Sequence, residues 1–262
     1  MSTCMWLGGC GLINNDNNPE ELYIQTLSGL AGEDSFTFTG KAAIRTQTQK
    51  GFRQSIAYKG TLTEHDKLTI RSMQPAQTAE AETSKPMKIS NYHAAESGFR
   101  RQDSQWMHLS SKGDGLMNSS LARFNPLAQL DAISRLPKQV REASSAARGT
   151  KVLRIELTPT AAKQWLSEQL EGEMLTIRKQ AETMDQIRSY QEKRKLADIW
   201  NKGNAQMKQM LDHSEFGMVY YLTIDKRSGL PLKLSSESKI RYLNQHNQEE
   251  QETLVNDVSF AP

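Results

Sequence analysis

Cysteine is nearly absent from this chain of 262 residues, and its two cysteines, Cys4 and Cys10, both lie within the first ten positions. The rest of the chain therefore offers no thiol for a disulfide, a metal site or nucleophilic chemistry. An apolar run of about 18 residues is also lacking, so the sequence predicts no membrane-spanning helix. The 33 Lys and Arg nearly balance the 30 Asp and Glu. This balance gives no indication of a nucleic-acid partner.

Patterns typical of catalysis or cofactor binding are missing as well. The five histidines are scattered, and the sequence contains neither a Gly-rich phosphate loop nor a Gly-x-Ser-x-Gly elbow. The run Asp212-His213-Ser214-Glu215 could form a small acid–base cluster. Its position between a predicted helix and a predicted strand instead favours capping or a turn. We therefore expect no catalytic residue, no metal site and no cofactor.

The N-terminal segment, residues 1–18, carries the sharpest pattern. Leu7-Gly8-Gly9-Cys10 resembles a bacterial lipobox, in which diacylglycerol is attached to the cysteine. A polar run of Asn and Asp follows and favours a flexible tether. The charged part and most of the apolar part of an export signal do not precede Cys10, so we expect the true start to lie upstream. The alternative is a cytosolic protein with a chance Leu-Gly-Gly-Cys sequence.

Alternating apolar and polar residues predict about eight strands, joined mostly by hairpins. A meander of three strands extends from Ser35 to Ile70, and a hairpin ends at Trp106-Met107-His108-Leu109. A further strand covers residues 152–157. Strands with apolar residues between Met218 and Phe260 complete the pattern. Strands of this kind predict an antiparallel sheet rather than a parallel one.

Three helical segments interrupt the strands. The first begins at Pro19, and the second begins at Asn125-Pro126 and places its apolar residues at three-residue steps. The longest is predicted to extend from about Ala161 to Asn201, with a break at Asn201 to Asn204. Helices segregated between antiparallel strands predict an α+β fold. We expect a single domain over residues 19–262, with a helical insertion at about 161–213.

The order of these parts resembles the LolA/LppX-like superfamily of bacterial lipoproteins and lipoprotein carriers. The local match is the segment Tyr221 to Leu234, with its Asp-Lys-x-x-Gly turn and its Leu-Pro-Leu-x-Leu return strand. The resemblance implies a strongly curved antiparallel half-barrel whose concave face is closed by helices, forming a cavity for acyl chains. The charged helical stretch from about Glu168 to Leu211 departs from the family pattern. Fold-level analogy does not select among the roles known in such a superfamily.

These inferences lead to three hypotheses. The first is a membrane-anchored, extracytoplasmic lipoprotein that holds a lipid or another apolar molecule in its cavity. The second is an envelope or sporulation-associated interaction protein that docks a partner protein through the helix at 161–201. The third and weakest is a hydrolase of envelope polymers. The anchor is Cys10, and the predicted cavity residues are Phe38, Ile44, Ile56, Tyr58, Trp106, Leu127, Leu130, Ile133, Tyr220, Leu222 and Leu234.

Two basic clusters are further candidates, for contact with anionic lipid head groups. They are Arg100-Arg101 and Lys193-Arg194-Lys195, and each cationic residue near an anionic surface contributes about 1 kcal/mol. Acidic residues lie close to both clusters in the sequence and weaken this interpretation.

Overall fold

The computed structural model describes residues 18–47, 54–73, 95–103, 105–109, 121–144, 146–183, 190–243 and 248–261. The predicted anchor Cys10 and the segment up to residue 17 lie outside these residues. The described helices are α1 (Pro19–Ala31), α2 (Pro126–Arg135), α3 (Pro159–Thr183) and α4 (Tyr190–Asp212). The described strands are β1 (Phe36–Thr46), β2 (Gln54–Thr63), β3 (Lys67–Met73), β4 (Glu96–Gln102), β5 (Gln105–Leu109), β6 (Lys138–Glu142), β7 (Thr150–Leu157), β8 (Glu215–Asp225), β9 (Pro231–Leu243) and β10 (Glu249–Ala261).

All ten strands belong to one antiparallel sheet, in the order β5-β4-β3-β2-β1-β10-β9-β8-β7-β6. Two meanders, β1 to β5 and β6 to β10, are joined by the pairing of β1 with β10, which places Phe38 opposite Phe260. Within the described residues the sheet is open, with β5 and β6 at its two edges. The predicted α+β class and the antiparallel sheet are therefore confirmed.

The sheet is strongly curved, because the two contacting helices α1 and α2 bridge its opposite edges. On α1, Glu20 pairs with Lys138 of β6 at 3.0 Å. On α2, Asp131 faces Arg101 of β4, next to edge strand β5, at 3.6 Å. The Tyr23 hydroxyl of α1 donates to a carbonyl of α2 at 2.9 Å. Strands lie about 4.8 Å apart, so the edges of a flat ten-stranded sheet would be about 43 Å apart. The axes of two packed helices lie only about 8–10 Å apart. Two such helices can contact both sides of the sheet only if the sheet curves around them.

Two glycines let large aromatic side chains lie flat against the inner face of the sheet. Gly40 of β1 is paired with Tyr58 of β2, and Phe38 is paired with Gly60. A Cβ atom on Gly40 would lie 2.1 Å from the Tyr58 ring, and one on Gly60 would lie 2.1 Å from the Phe38 ring. Both rings are buried. Glycine is therefore required at both positions by the space that the rings occupy.

Helices α3 and α4 form an antiparallel hairpin, so the prediction of one helix from 161 to 201 is wrong. Trp200 Nε1 donates to the carbonyl of Met174 at 3.3 Å. The Lys163 ammonium donates to the carbonyl of Asp212 at 2.9 Å. In a continuous helix, residues 174 and 200 would lie about 39 Å apart. Helix α4 also continues through the predicted break at 201–204 and ends at Asp212. Both helices place partly buried apolar residues against the core, among them Leu166 and Leu170 of α3 and Met207 and Met210 of α4.

The strand β6 was missed by the sequence analysis. Its sequence, Lys-Gln-Val-Arg-Glu, contains a single apolar residue, Val140, which packs against the core. One apolar side chain gives no alternation to detect. A charged edge strand of this kind also resists pairing with other chains.

Candidate ligand site

The candidate site lies between the sheet and the helices α1 and α2, whose starts are fixed by matching caps. Asn18 Oδ1 accepts from the backbone N–H of Glu20 at 3.2 Å. Asn125 Oδ1 accepts from the N–H groups of Leu127 and Ala128 at 3.0 and 3.1 Å. A proline follows each asparagine, at a position where no backbone donor is needed. Both predicted helix starts are confirmed.

One side of this site is an apolar wall around a small cavity. The cavity has a volume of about 30 Å³ and lies where α1 and α2 meet the ends of β2, β4 and β5. Its apolar lining is formed by Leu27, Leu30, Ala31, Leu62, Leu127 and Leu130. A cavity of this size has room for about two water molecules.

The other side of the cavity is polar and is formed by His65, Arg101, Trp106 and Asp131. The guanidinium carbon of Arg101 lies 5.9 Å from the centre of the Trp106 ring. The orientation of the His65 ring is fixed by two contacts. Its Nε2 pairs with Asp34, and its Nδ1 contacts the Glu33 carbonyl at 3.1 Å. Arg101, Trp106 and Asp131 are neighbours and therefore form a polar end of the cavity.

Asp131 is the acid at the polar end. Burial raises the pKa of its carboxyl, and Arg101, Arg135 and the Trp106 indole partly offset that rise. Arg101 is 3.6 Å from Asp131 Oδ2, beyond hydrogen-bond distance. Among the described residues, neither Asp131 Oδ2 nor Trp106 Nε1 makes a well-aligned hydrogen bond, although both atoms are buried. The Trp106 indole nevertheless lies close enough to the Asp131 carboxyl to lower its pKa, so these two groups interact directly.

A second buried polar group lies at the centre of the inner face. The Tyr58 hydroxyl donates to Asn256 Oδ1 at 2.6 Å, and the Tyr58 ring stacks on Phe124 with centres 5.2 Å apart. Burial raises the pKa of Tyr58, so this phenol stays protonated and acts as a donor. Phe124 immediately precedes the cap residue of α2. The contact therefore ties the start of α2 to strands β2 and β10.

The structure brings ten of the eleven predicted cavity residues into one hydrophobic core. Ile44, near the end of β1, is half-buried and lies outside that core cluster. Three members, Trp106, Leu127 and Leu130, line the cavity. The role of the whole set in binding a ligand stays a prediction.

Several site residues were missed by the sequence analysis, above all Tyr23 and Asp131. Tyr23 is fully buried and lies 5.7 Å below the Lys138 ammonium. Asp131 follows Leu127 by four positions and therefore shares the apolar face of α2. An acid on the apolar face of an amphipathic helix is a signal that could have identified this residue. Nothing comparable marks Tyr23.

The run Asp212 to Glu215 forms local contacts at the junction of α4 and β8. His213 Nδ1 contacts the Gln209 carbonyl at 2.8 Å, and the Ser214 hydroxyl donates to the Met210 carbonyl. Glu215 pairs with Arg241 at 3.0 Å. These contacts are those of a helix end and a strand start.

Neither a metal cluster nor a spanning helix is found in the part of the chain that the structure describes. There, no group of three or more His, Cys, Asp or Glu side chains is placed to hold a metal ion. No described helix is both long and apolar enough to cross a membrane.

The similarities of this chain to known proteins are distant. No family model and no curated protein matches the chain. Lipovitellin is similar over 87% of this chain, at 7% identity and a TM-score of 0.44, and the chain spans only 25% of that protein. A LolA superfamily protein from Nitrosomonas europaea is similar over 94% of this chain and 95% of its own, at 10% identity and a TM-score of 0.28.

LprF from Mycobacterium bovis is similar over 93% of this chain and 91% of its own, at 8% identity and a TM-score of 0.34. At such scores the similarities carry no argument, so the function must be inferred from the chain's own residues.

Proposed function

We propose that this protein is a membrane-anchored, extracytoplasmic lipoprotein that binds a lipid or another apolar molecule in a half-barrel, beneath α1 and α2. The observation that carries the proposal is the apolar-walled cavity between the curved sheet and these two helices. Apolar walls with a few convergent polar groups are typical of small-molecule sites. The proposal assigns no catalytic step to the protein.

The volume of the cavity determines how such a ligand would enter. About 30 Å³ holds water-sized groups, so an acyl chain is admitted only when α1 and α2 move away from the sheet. The contacts that resist this movement include the ion pairs of Lys138 with Glu20 and of Arg101 with Asp131. The Lys138 side chain is 8% exposed, and those of Arg101 and Asp131 are 29% and 25% exposed. Opening of the site must therefore break two ion pairs that are largely shielded from solvent.

Fluorescence titration with N-phenyl-1-naphthylamine tests the proposal. This apolar dye becomes bright when it leaves water, and we expect saturable binding to the folded chain. Leu27→Trp fills the cavity and should weaken binding at least tenfold. Ile24→Trp is the matched control, because Ile24 lies on the same helix and is 53% exposed. It should leave the affinity unchanged.

Two results would contradict the proposal. One is a folded chain that does not bind the dye. The other is an equal effect of the two tryptophan substitutions, which would place the dye elsewhere. If Leu27→Trp fails to fold by circular dichroism, Ala31→Leu offers a smaller obstruction in the same lining.

The anchor at Cys10 is tested separately, in cells that express the complete gene. We expect metabolic labelling with an alkyne fatty acid and recovery of the protein in the membrane fraction. Cys10→Ser should abolish both, whereas Cys4→Ser should abolish neither. Labelling that survives Cys10→Ser would refute this anchor without affecting ligand binding.

The alternative function, a partner docked through the helices at 161–201, also stays a prediction. It is favoured by two large apolar side chains on the hairpin, Leu175 on α3 and Ile199 on α4, which are 51% and 68% exposed. Leu175→Ser and Ile199→Ser should then abolish co-purification of one defined partner and leave dye binding unchanged. Retention of the partner by both variants would refute docking at these residues.

A further inference from the structure

His108 lies on the inner face of the edge strand β5, the strand against which helix α2 packs. Alternation along β5 directs Trp106 and His108 inward, whereas Met107 and Leu109 are 51% and 48% exposed. The His108 ring meets the buried ring of Phe99 on β4 edge-on, with centres 5.2 Å apart. Because Trp106 lines the cavity, His108 is two positions from the cavity wall on the same face.

The inner nitrogen of this ring lies in a place that suits only the uncharged imidazole. Among the described residues, His108 Nε2 is buried and has no hydrogen-bond partner. A protonated imidazole carries an N–H on both nitrogens, so the cation always has a buried donor at Nε2 without an acceptor. A buried charge that is neither paired nor hydrogen-bonded is strongly unfavourable. Burial accordingly lowers the pKa of His108.

The titratable and charged groups of the neighbouring elements do not offset this cost. Arg101 of β4 and Arg135 of α2 are cations, and the one acid, Asp131 of α2, lies 3.6 Å from Arg101. Burial raises the pKa of Asp131, so that its protonation favours the closed form. Protonation of His65, at the cavity wall, strengthens its pair with Asp34 next to α1. Neither Asp131 nor His65 therefore promotes opening on acidification.

We propose that His108 is a pH-sensitive latch on the cavity, whose protonation separates β5 from α2 and opens the site to its ligand. This inference rests on the proposed function, because it names the regulation of the same site. Movement of α2 away from the sheet exposes the inner face of β5 to water, where an imidazole has its ordinary pKa of about 6.5. The closed form therefore loses free energy relative to the open form as the pH falls through 6.5.

Titration of the full chain with N-phenyl-1-naphthylamine at pH 7.5, 6.5 and 5.5 tests the inference. The dye is a diarylamine and is uncharged throughout this range. Only the open form admits the dye, so the apparent affinity follows the population of that form. It should rise on acidification, and a pKa of 6.5 in the open form limits the rise between pH 7.5 and 5.5 to about tenfold.

His108→Phe keeps an aromatic ring against Phe99 and removes the titration. It should bind the dye at pH 7.5 as the wild type does, with an affinity that no longer changes with pH. His213→Gln is the matched control, because His213 is an exposed histidine at the end of α4. It should retain the full pH dependence of the wild type.

Nuclear magnetic resonance of the wild type with labelled histidine provides a second measurement, which does not depend on the folding of a variant. The His108 ring signals should titrate below pH 6.5 in the ligand-free chain. Saturation with the dye holds the site open and should move this midpoint upward, because the coupling between proton and ligand is reciprocal.

The possible failures are distinguishable. Absence of dye binding at every pH would remove the proposed function together with the inference. Dye binding whose affinity is constant or falls on acidification would overturn the latch and leave the binding function intact. A pH dependence that survives in His108→Phe would assign it to another group, with the same consequence. A His108 midpoint that the dye does not move would show that opening leaves this ring covered, which also overturns the latch.

Discussion

Replacement of Gly40 by alanine gives the most sharply defined prediction for the fold. The added Cβ would lie 2.1 Å from the ring of Tyr58. Ordinary contact begins at 3.4 Å, so the ring must retreat by about 1.3 Å. Tyr58 is completely buried, stacks on Phe124 and donates to Asn256, so no open space receives the displaced ring.

The expected cost combines two contributions. Overpacking of a close-packed core costs about 1–3 kcal/mol. Displacement of the Tyr58 hydroxyl from Asn256 Oδ1 adds about 1 kcal/mol. We therefore expect Gly40→Ala to lower the free energy of unfolding by about 2–4 kcal/mol, out of a typical total of about 5–15 kcal/mol. Urea unfolding followed by far-ultraviolet circular dichroism measures this difference.

Gly217→Ala is the matched control, because Gly217 also lies within a strand and its added Cβ would meet nothing within 4 Å. It should change the free energy of unfolding by no more than about 0.5–1 kcal/mol, and alanine there can be stabilising. The reasoning is refuted if Gly40→Ala is as stable as the wild type. It is equally refuted if both substitutions cost the same.

Two further predictions concern ionic groups. Arg123→Met breaks the two contacts with Glu173 that join the start of α2 to α3, and thermal unfolding should show a loss of about 1–3 kcal/mol. Lys67→Met is the control, because it breaks the exposed pair with Glu64, and it should cost less than about 0.5 kcal/mol. An equal loss in Arg123→Met and Lys67→Met would contradict this prediction. The raised pKa of Asp131 means that the folded state binds its proton more tightly than the unfolded chain. The free energy of unfolding of the wild type, relative to that of Asp131→Asn, should therefore fall as the pH rises from 3.8 to the higher pKa of the folded state. Denaturation curves recorded across this pH range measure the difference. A difference that does not change with pH would contradict the shift.

The strands were predictable where each alternates cleanly and is bounded by a recognisable turn. The hairpin of β8 and β9 is the clearest example. Asp225 Oδ1 accepts from the N–H groups of Arg227 and Ser228 at 2.7 and 2.9 Å, and Gly229 adopts a positive φ of 73°. These local requirements can be identified in a single sequence. The order of the strands could not be, because the pairing of β1 with β10 joins residues more than 200 positions apart.

The helical hairpin shows why local periodicity was insufficient at 159–212. In this segment, apolar residues such as Leu166, Leu170, Met174 and Ile177 recur at steps of four and three positions. Such a spacing is the same for one long helix and for two helices that pack face to face. Only contacts distant in sequence, such as that of Trp200 with Met174, distinguish the two. The polar end of the candidate site is a similar case. Arg101, Trp106 and Asp131 come from three different elements, and no local pattern relates them.

Native mass spectrometry after incubation with a bacterial lipid extract tests the central claim most directly. The folded full-length chain should retain one acyl lipid per molecule, and Leu27→Trp should retain less than the control Ile24→Trp. A folded chain that retains no lipid from the extract would contradict the proposed function.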